Sequence, residues 1–207
     1  MANYPYPANF LAELPAYPVR EFCGQMNKVP TSDDELLSAF NDALQVYTNF
    51  TGKTQCTDTS TAYDSSLGSL GWEFQACTEM VMPMCSLGST DMFIPEKWDF
   101  KQYSNDCYKK FGVFPREKMA ISQYGAQKLD ALSNIIFSNG LLDPWSGGGV
   151  LRTFSDKIDV VLIPEGAHHL DLRTNHPLDP ASVKMARKFH MKRFREWISA
   201  YATKYNY

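Results

Sequence analysis

Hydrophobic positions change their period twice along this chain. In the first stretch Leu36, Leu37, Phe40, Ala43, Leu44 and Tyr47 recur at helical spacing behind Ser32-Asp33-Asp34-Glu35, a capping-box pattern. The spacing predicts an amphipathic helix over 32–49, preceded by a helix from Pro18 to Met26. Residues 4–18 are rich in proline and aromatics, and proline removes backbone donors. The first 50 residues therefore read as helical or irregular, with no strand. Residues 51–71 are polar and rich in Ser, Thr and Gly, which predicts a long surface loop. Trp72 to Met82 is apolar but aperiodic, and Pro83 stops it. Lys97 to Phe111 reads as a helix with Trp98, Tyr103, Cys107, Tyr108 and Phe111 inward, and a short helix is expected near Ala126–Leu132.

The period then changes. Asn134-Ile135-Ile136-Phe137-Ser138 and Asp159-Val160-Val161-Leu162-Ile163 are short runs of the kind buried in parallel sheets. Ser146 to Asp156 between them has room for one helix, so strand, helix and strand form a βαβ unit. Asp179-Pro180 starts a last helix, with Val183, Ala186, His190, Phe194, Trp197, Ile198 and Tyr201 on one stripe to about Tyr201. The fold class is α/β.

Composition narrows the function classes. The 207 residues are 44% hydrophobic and 14% aromatic, enough to build a core rather than a disordered chain. Net charge is −3, which argues against a nucleic-acid partner. Residues 1–100 hold 13 acids and 4 bases, and residues 101–207 hold 10 and 16, with a cluster of these bases on the last helix. No run of about 18 apolar residues is present, so no membrane span is expected. The five cysteines, Cys23, Cys56, Cys77, Cys85 and Cys107, contain no Cys-x-x-Cys pair and lie far from His168 and His169, so no metal site is expected. They read either as buried thiols or as disulfides of an oxidising compartment. Asn49-Phe50-Thr51 is a glycosylation sequon and favours the second. Met1 to Phe10 has neither the basic nor the apolar region of a secretory leader, so the chain is expected to be either cytosolic or a piece of a longer one.

Two polar loops follow the two strands. Ser138-Asn139-Gly140-Leu141-Leu142-Asp143-Pro144-Trp145 follows the first, and Pro164-Glu165-Gly166-Ala167-His168-His169-Leu170 the second. Ligands and catalytic groups of open α/β sheets gather beyond the carboxyl ends of the strands. Adjacent parallel strands would bring Asp143 and His168 together, the second half of a Ser…Asp…His order. A serine hydroxyl needs a base to take its proton, and a carboxylate behind that base fixes its tautomer. Spacing alone leaves the bland reading open, with Asp-Pro as a turn and His-His as a polar loop.

These residues themselves carry a resemblance. Ser138-Asn139-Gly140-x-x-Asp143-Pro144-Trp145-Ser146-Gly147-Gly148-Gly149 and Glu165-Gly166-Ala167-His168-His169-Leu170-Asp171-Leu172-Arg173 resemble the acid and histidine motifs of the prolylcarboxypeptidase/dipeptidyl peptidase II family of serine exopeptidases. Tyr4 to Leu11, Gln75 to Glu79 and Trp197 extend the similarity along the chain. Ser65 to Gly68 and Val81 to Cys85 are closer to the Pro-X carboxypeptidase branch than to the dipeptidyl peptidase branch. The resemblance implies an α/β-hydrolase fold, with residues 1–47 the end of a helical cap insertion and 48–207 the C-terminal part of the hydrolase domain. It implies Asp143 as triad acid, His168 as triad base, and His169 as a supporting residue. Trp145 and, more weakly, Met82 would line a pocket for a substrate proline ring, chemistry that suits a Trp face and a Met thioether. It suggests a Cys77–Cys107 disulfide, with partners of Cys23, Cys56 and Cys85 upstream of residue 1. Peptides with proline near the scissile bond would be substrates. The full-length protein would be lysosomal or secreted, needs no cofactor, and is left open as a homodimer.

One part of the family pattern is missing. A peptidase of this fold needs its serine on a Gly-x-Ser-x-Gly elbow, and none occurs in the 207 residues. Gly68-Ser69-Leu70-Gly71 has the wrong spacing, and Ser146 is too close to the acid. The expectation is a C-terminal portion that supplies acid and base without the nucleophile and is inert alone. The alternatives are a truncated non-catalytic product that binds a partner or dimerises, and a cytosolic α/β protein with free thiols.

Overall fold

The computed structural model describes residues 2–9, 12–57, 68–91, 93–125, 129 and 131–205. The chain forms two compact units, one of residues 1–57 with 130–207 and one of residues 58–129.

The first unit contains the sheet that carries the polar loops. Strands β3 (Ile135–Gly140) and β4 (Ile158–Ile163) pair in parallel, with Ile135 opposite Ile158 and Gly140 opposite Ile163. The sequence places both strands; the register sets Ile136 opposite Asp159 and Phe137 opposite Val160. Helix α6 (Ala181–Tyr205) buries Val183, Ala186 and His190. With Tyr4, Tyr6, Ile163, Ala167 and Leu170, Val183 and Ala186 make the core. The rest of the predicted α6 stripe is not buried: Phe194, Ile198 and Tyr201 are exposed.

The link between β3 and β4 corrects an expectation. No α-helix spans 146–156; Pro144–Gly148 forms a single 3₁₀ turn and the remainder is irregular. Three consecutive glycines, Gly147 to Gly149, oppose a longer helix because each gives up more backbone freedom than any other residue. Asn139 also donates its side-chain amide to the Val150 carbonyl at 3.0 Å, which holds the link in a non-helical course.

The expectation of no strand before residue 50 is corrected as well. Ala8–Asn9 (β1) and Glu13–Leu14 (β2) pair antiparallel. Two pairs leave no periodicity for a sequence reading to find. Tyr4 and Tyr6 stack with ring centroids 6.4 Å apart and enter the core together. Helices α1 (Pro18–Gln25) and α2 (Asp33–Thr48) follow and pack on each other. Ser32 caps α2 by accepting the Glu35 amide at 3.2 Å. The Glu35 carboxylate reaches one residue further back than a capping box requires, to the Thr31 amide at 2.8 Å. Of the α2 stripe only Ala43 is buried.

A network centred on Asp179 ties this unit together. Asp179 is not a simple cap: its Oδ1 accepts the Tyr6 hydroxyl at 3.0 Å, and its Oδ2 accepts the His176 amide at 2.8 Å and Arg187 Nη1 at 2.5 Å. Arg187 also donates to the carbonyls of Asp171, Leu170 and Arg173. Burial, the Asp179 hydrogen bond and the Asp179 charge together push the Tyr6 hydroxyl up to about 12. A raised pKa means the neutral phenol is favoured in the fold. That contribution is complete below the unfolded value near 10 and is lost as pH rises through about 12. Tyr6→Phe is expected to cost about 1.5–3 kcal/mol at neutral pH, the worth of a hydrogen bond to a charged group. It should also flatten the loss of stability above pH 10; urea denaturation at neutral and alkaline pH measures both.

The second unit is helical. Helices α3 (Ser69–Thr78) and α4 (Phe100–Phe111) are joined by a Cys77–Cys107 disulfide with an S–S distance of 2.04 Å. A closed loop with a sequence separation of 30 is worth roughly 3–4 kcal/mol in the chain-entropy picture. Phe74 meets Phe111 edge-on at 5.6 Å, and Glu73 pairs with Lys110. The aperiodic apolar run is thus largely α3, which ends at Thr78, ahead of Pro83. Asp99 caps α4 by accepting the Gln102 amide, so this helix starts at Phe100 rather than Lys97. Tyr108, expected inward, is exposed and stacks on Phe114 at 4.5 Å. The short helix lies at Met119–Tyr124 (α5). Residues 126–128 and 130, where the sequence places it, fall outside the described residues, as does 58–67 of the expected loop.

Candidate active site

Close approach of two loops builds the site. Beyond β3, the Leu141 amide donates to the Ile163 carbonyl at 3.0 Å, and the Leu142 amide to the Gly166 carbonyl at 2.9 Å. Gly140 makes this approach possible, because a Cβ there would stand 2.4 Å from the Gly166 carbonyl oxygen. The acid-bearing and histidine-bearing loops are therefore stitched backbone to backbone before any side chain acts.

Asp143 follows the β3 stitch. Its Oδ1 accepts the Trp145 amide at 3.2 Å, capping the 3₁₀ turn, and its Oδ2 lies 2.8 Å from His168 Nδ1. Asp143 is buried, while the His168 side chain keeps 31% of its surface exposed. A carboxylate shielded from water interacts more strongly with its partner, and the imidazole stays reachable. With Nδ1 facing the carboxylate, Nε2 is the nitrogen left for proton exchange with a substrate or nucleophile.

The His168 backbone is held from the other side. The Tyr4 hydroxyl donates to the His168 carbonyl at 3.3 Å. Arg173 lies over the Tyr4 ring at 4.6 Å and donates to its oxygen at 3.3 Å. Burial pushes the Tyr4 hydroxyl up, against the pull of the Arg173 charge and hydrogen bond, so the phenol remains a neutral donor. Sequence reasoning assigned Tyr4 no role. Its signals were a place in a Tyr-Pro-Tyr-Pro stretch and in the family similarity over Tyr4 to Leu11, and neither points to a contact at a sequence separation of 164. His169 adopts a left-handed conformation with φ of 43°, and its ring centroid lies 4.5 Å from that of His168. An open groove beside it is lined by Tyr6, Asn9, His169, Arg173 and His176.

Trp145 lies two residues after Asp143 and is 38% exposed, so it is not core packing. Met82 is half-buried and belongs to the 58–129 unit. Asn49 ends α2 at the surface, its side-chain oxygen accepting the Thr54 amide at 2.7 Å. Cys23, Cys56 and Cys85 are exposed thiols. Among the described residues no group of three His, Cys, Asp or Glu is placed to hold a metal, and no helix is long and apolar enough to cross a membrane.

Residues 1–190 match the family described as serine carboxypeptidase S28. The chain is 50% identical over 198 residues to a lysosomal Pro-X carboxypeptidase of Mus musculus, covering 96% of this chain and 40% of that protein. It is 47% identical over 198 residues to the lysosomal Pro-X carboxypeptidase of Homo sapiens, with the same coverage of 96% and 40%. Prolyl carboxy peptidase like protein 5 of Caenorhabditis elegans is 38% identical over 215 residues, or 96% of this chain and 42% of the relative. The chain thus spans about 40% of the length of the curated relatives it matches.

Proposed function

The chain belongs to the serine carboxypeptidase S28 family, and from that premise we propose that it forms the C-terminal portion of a serine exopeptidase cleaving next to proline. The observation that carries the reading is the 2.8 Å contact between His168 Nδ1 and Asp143 Oδ2, beyond the carboxyl ends of two parallel strands. In the complete protein His168 Nε2 takes the proton of an upstream serine as its oxygen attacks the scissile carbonyl. His168 then gives that proton to the leaving amine, and a water molecule enters by the same route to release the acyl group. Asp143 holds the tautomer and stabilises the imidazolium formed in each step.

Trp145 and Met82 are assigned to the proline-ring pocket, where apolar faces suit a ring with no backbone N–H to satisfy. Similarity to Pro-X carboxypeptidases favours release of a C-terminal residue following proline over removal of an N-terminal dipeptide. The same relatives support a lysosomal or secretory location, in keeping with the Cys77–Cys107 disulfide and the Asn49-Phe50-Thr51 sequon. Residues 1–47 are assigned to the end of a helical cap insertion and 48–207 to the hydrolase domain. Cys23, Cys56 and Cys85 are assigned partners in the upstream region.

The reading makes the isolated chain inert. Incubation with a fluorophosphonate probe is expected to leave all 207 residues unlabelled. The full-length protein should take one adduct, on a serine upstream of residue 1. A covalent adduct on any serine of this chain overturns the proposal.

A further inference from the structure

Asp171, three residues after His168, is buried and takes no part in the proton transfers described above. Its Oδ2 accepts the Ser138 hydroxyl at 2.6 Å and lies 2.8 Å from His190 Nε2. Ser138 stands on β3, five residues before Asp143, and His190 stands on α6. A single carboxylate oxygen therefore joins the strand leading to the acid, the loop carrying the base, and the helix behind both.

The directions of these bonds are set by chemistry. A carboxylate only accepts, so both Ser138 Oγ and His190 Nε2 donate. His190 Nδ1 is buried and has no partner among the described residues. A buried polar atom left unmatched is costly, and such groups persist where another interaction of the same side chain outweighs them. For His190 that interaction is the one with Asp171. The Asp171 backbone is held as well, its carbonyl accepting Arg187 Nε at 2.8 Å. The backbone stitches at Leu141 and Leu142 end at Gly166, so they do not reach the segment that follows His168.

We propose that Asp171, backed by Ser138 and His190, is a positioning residue that holds the His168 loop at hydrogen-bond distance from Asp143. The role rests on the peptidase reading above. A displacement of roughly 1 Å between catalytic groups is enough to cost about 100-fold in rate. In the full-length protein, Asp171→Ala is expected to lower kcat by about 100-fold per active site counted by burst titration, with KM within about threefold. Asp171→Asn, which keeps one acceptor, should recover part of this loss. Ser138→Ala removes one of the two donors and should cost about tenfold, as outer partners of a catalytic group commonly do; it decides the matter if Asp171→Ala does not fold. Proton NMR reads the same effect without turnover. The exchangeable proton between His168 and Asp143 should give a downfield resonance that Asp171→Ala shifts or abolishes. If both Ala variants keep kcat per titrated site within about twofold and leave that resonance in place, the proposal is overturned. If the wild-type protein cleaves no proline-containing peptide but the resonance still moves in Asp171→Ala, the positioning role stands and the peptidase reading falls.

Discussion

Asp143→Asn in the full-length protein is expected to lower kcat for a Pro-X peptide by about 10⁴-fold, while leaving KM and fold nearly unchanged. The amide is isosteric with the carboxylate and can still meet His168 Nδ1 across the 2.8 Å contact. It can do so by offering an N–H, which selects the tautomer with the proton on Nε2. That nitrogen then cannot accept the proton of the serine. The negative charge that would stabilise the imidazolium is also gone. His168→Ala removes the base itself and should cost at least as much, about 10⁴-fold or more. Because residues of one proton relay act as a unit, the double variant should be little worse than either single one. Steady-state kinetics on the two single variants and the pair measures this. Additive losses, or a kcat within about tenfold of wild type for Asp143→Asn, would remove Asp143 from the relay.

The largest expected effect on stability falls at Arg187. Its guanidinium meets Asp179 at 2.5 Å and caps the carbonyls of Leu170, Asp171 and Arg173. The Asp179 side chain is 1% exposed. Arg187→Met leaves that carboxylate buried without its cation, and loss of one partner of a buried pair costs about 3–5 kcal/mol. The double variant Arg187→Met/Asp179→Leu should regain much of it, because the uncompensated charge is removed along with its partner. Acid sensitivity follows from the same group. Burial pushes the Asp179 carboxyl up, but hydrogen bonds from the His176 amide, Arg187 and Tyr6, with the Arg187 charge, outweigh it and hold it below the usual carboxylate range. A lowered pKa in the fold stabilises the protein above the unfolded value near 3.9, and the contribution is lost as pH falls through the folded value. Urea denaturation at neutral pH and below pH 4 should therefore show a steeper acid loss in wild type than in the double variant. Equal acid limbs would sink the assignment.

Different parts of this molecule were legible to different degrees. α2 was readable because its apolar positions repeat one helical period behind a cap, and β3 and β4 because each is a short apolar run ended by a turn. The β1–β2 ladder was not readable, because two residue pairs carry no period. The link between β3 and β4 was misread as a helix, since room for a helix says nothing about three glycines that disfavour one. α6 was readable in place but not in burial. Its apolar stripe runs to Tyr201, yet only the turns facing β4 and the 170–172 turn are covered.

The candidate site divides in the same way. Asp143 and His168 could be named from the sequence, because strand order in a parallel sheet decides which loops share an end. The motifs around them carried the family without any coordinates. Tyr4, Asp171, Asp179, Arg187 and His190 could not be assigned their work this way. Each acts through hydrogen bonds or ion pairs to residues outside its own element, such as the Tyr6–Asp179 bond at a sequence separation of 173. Local pattern reports which face of an element is apolar, and so it determined the elements and the two loops that meet. Which buried polar atom satisfies which other is a property of the packed interior, where no water can substitute for a missing partner. Only the tertiary structure decided that.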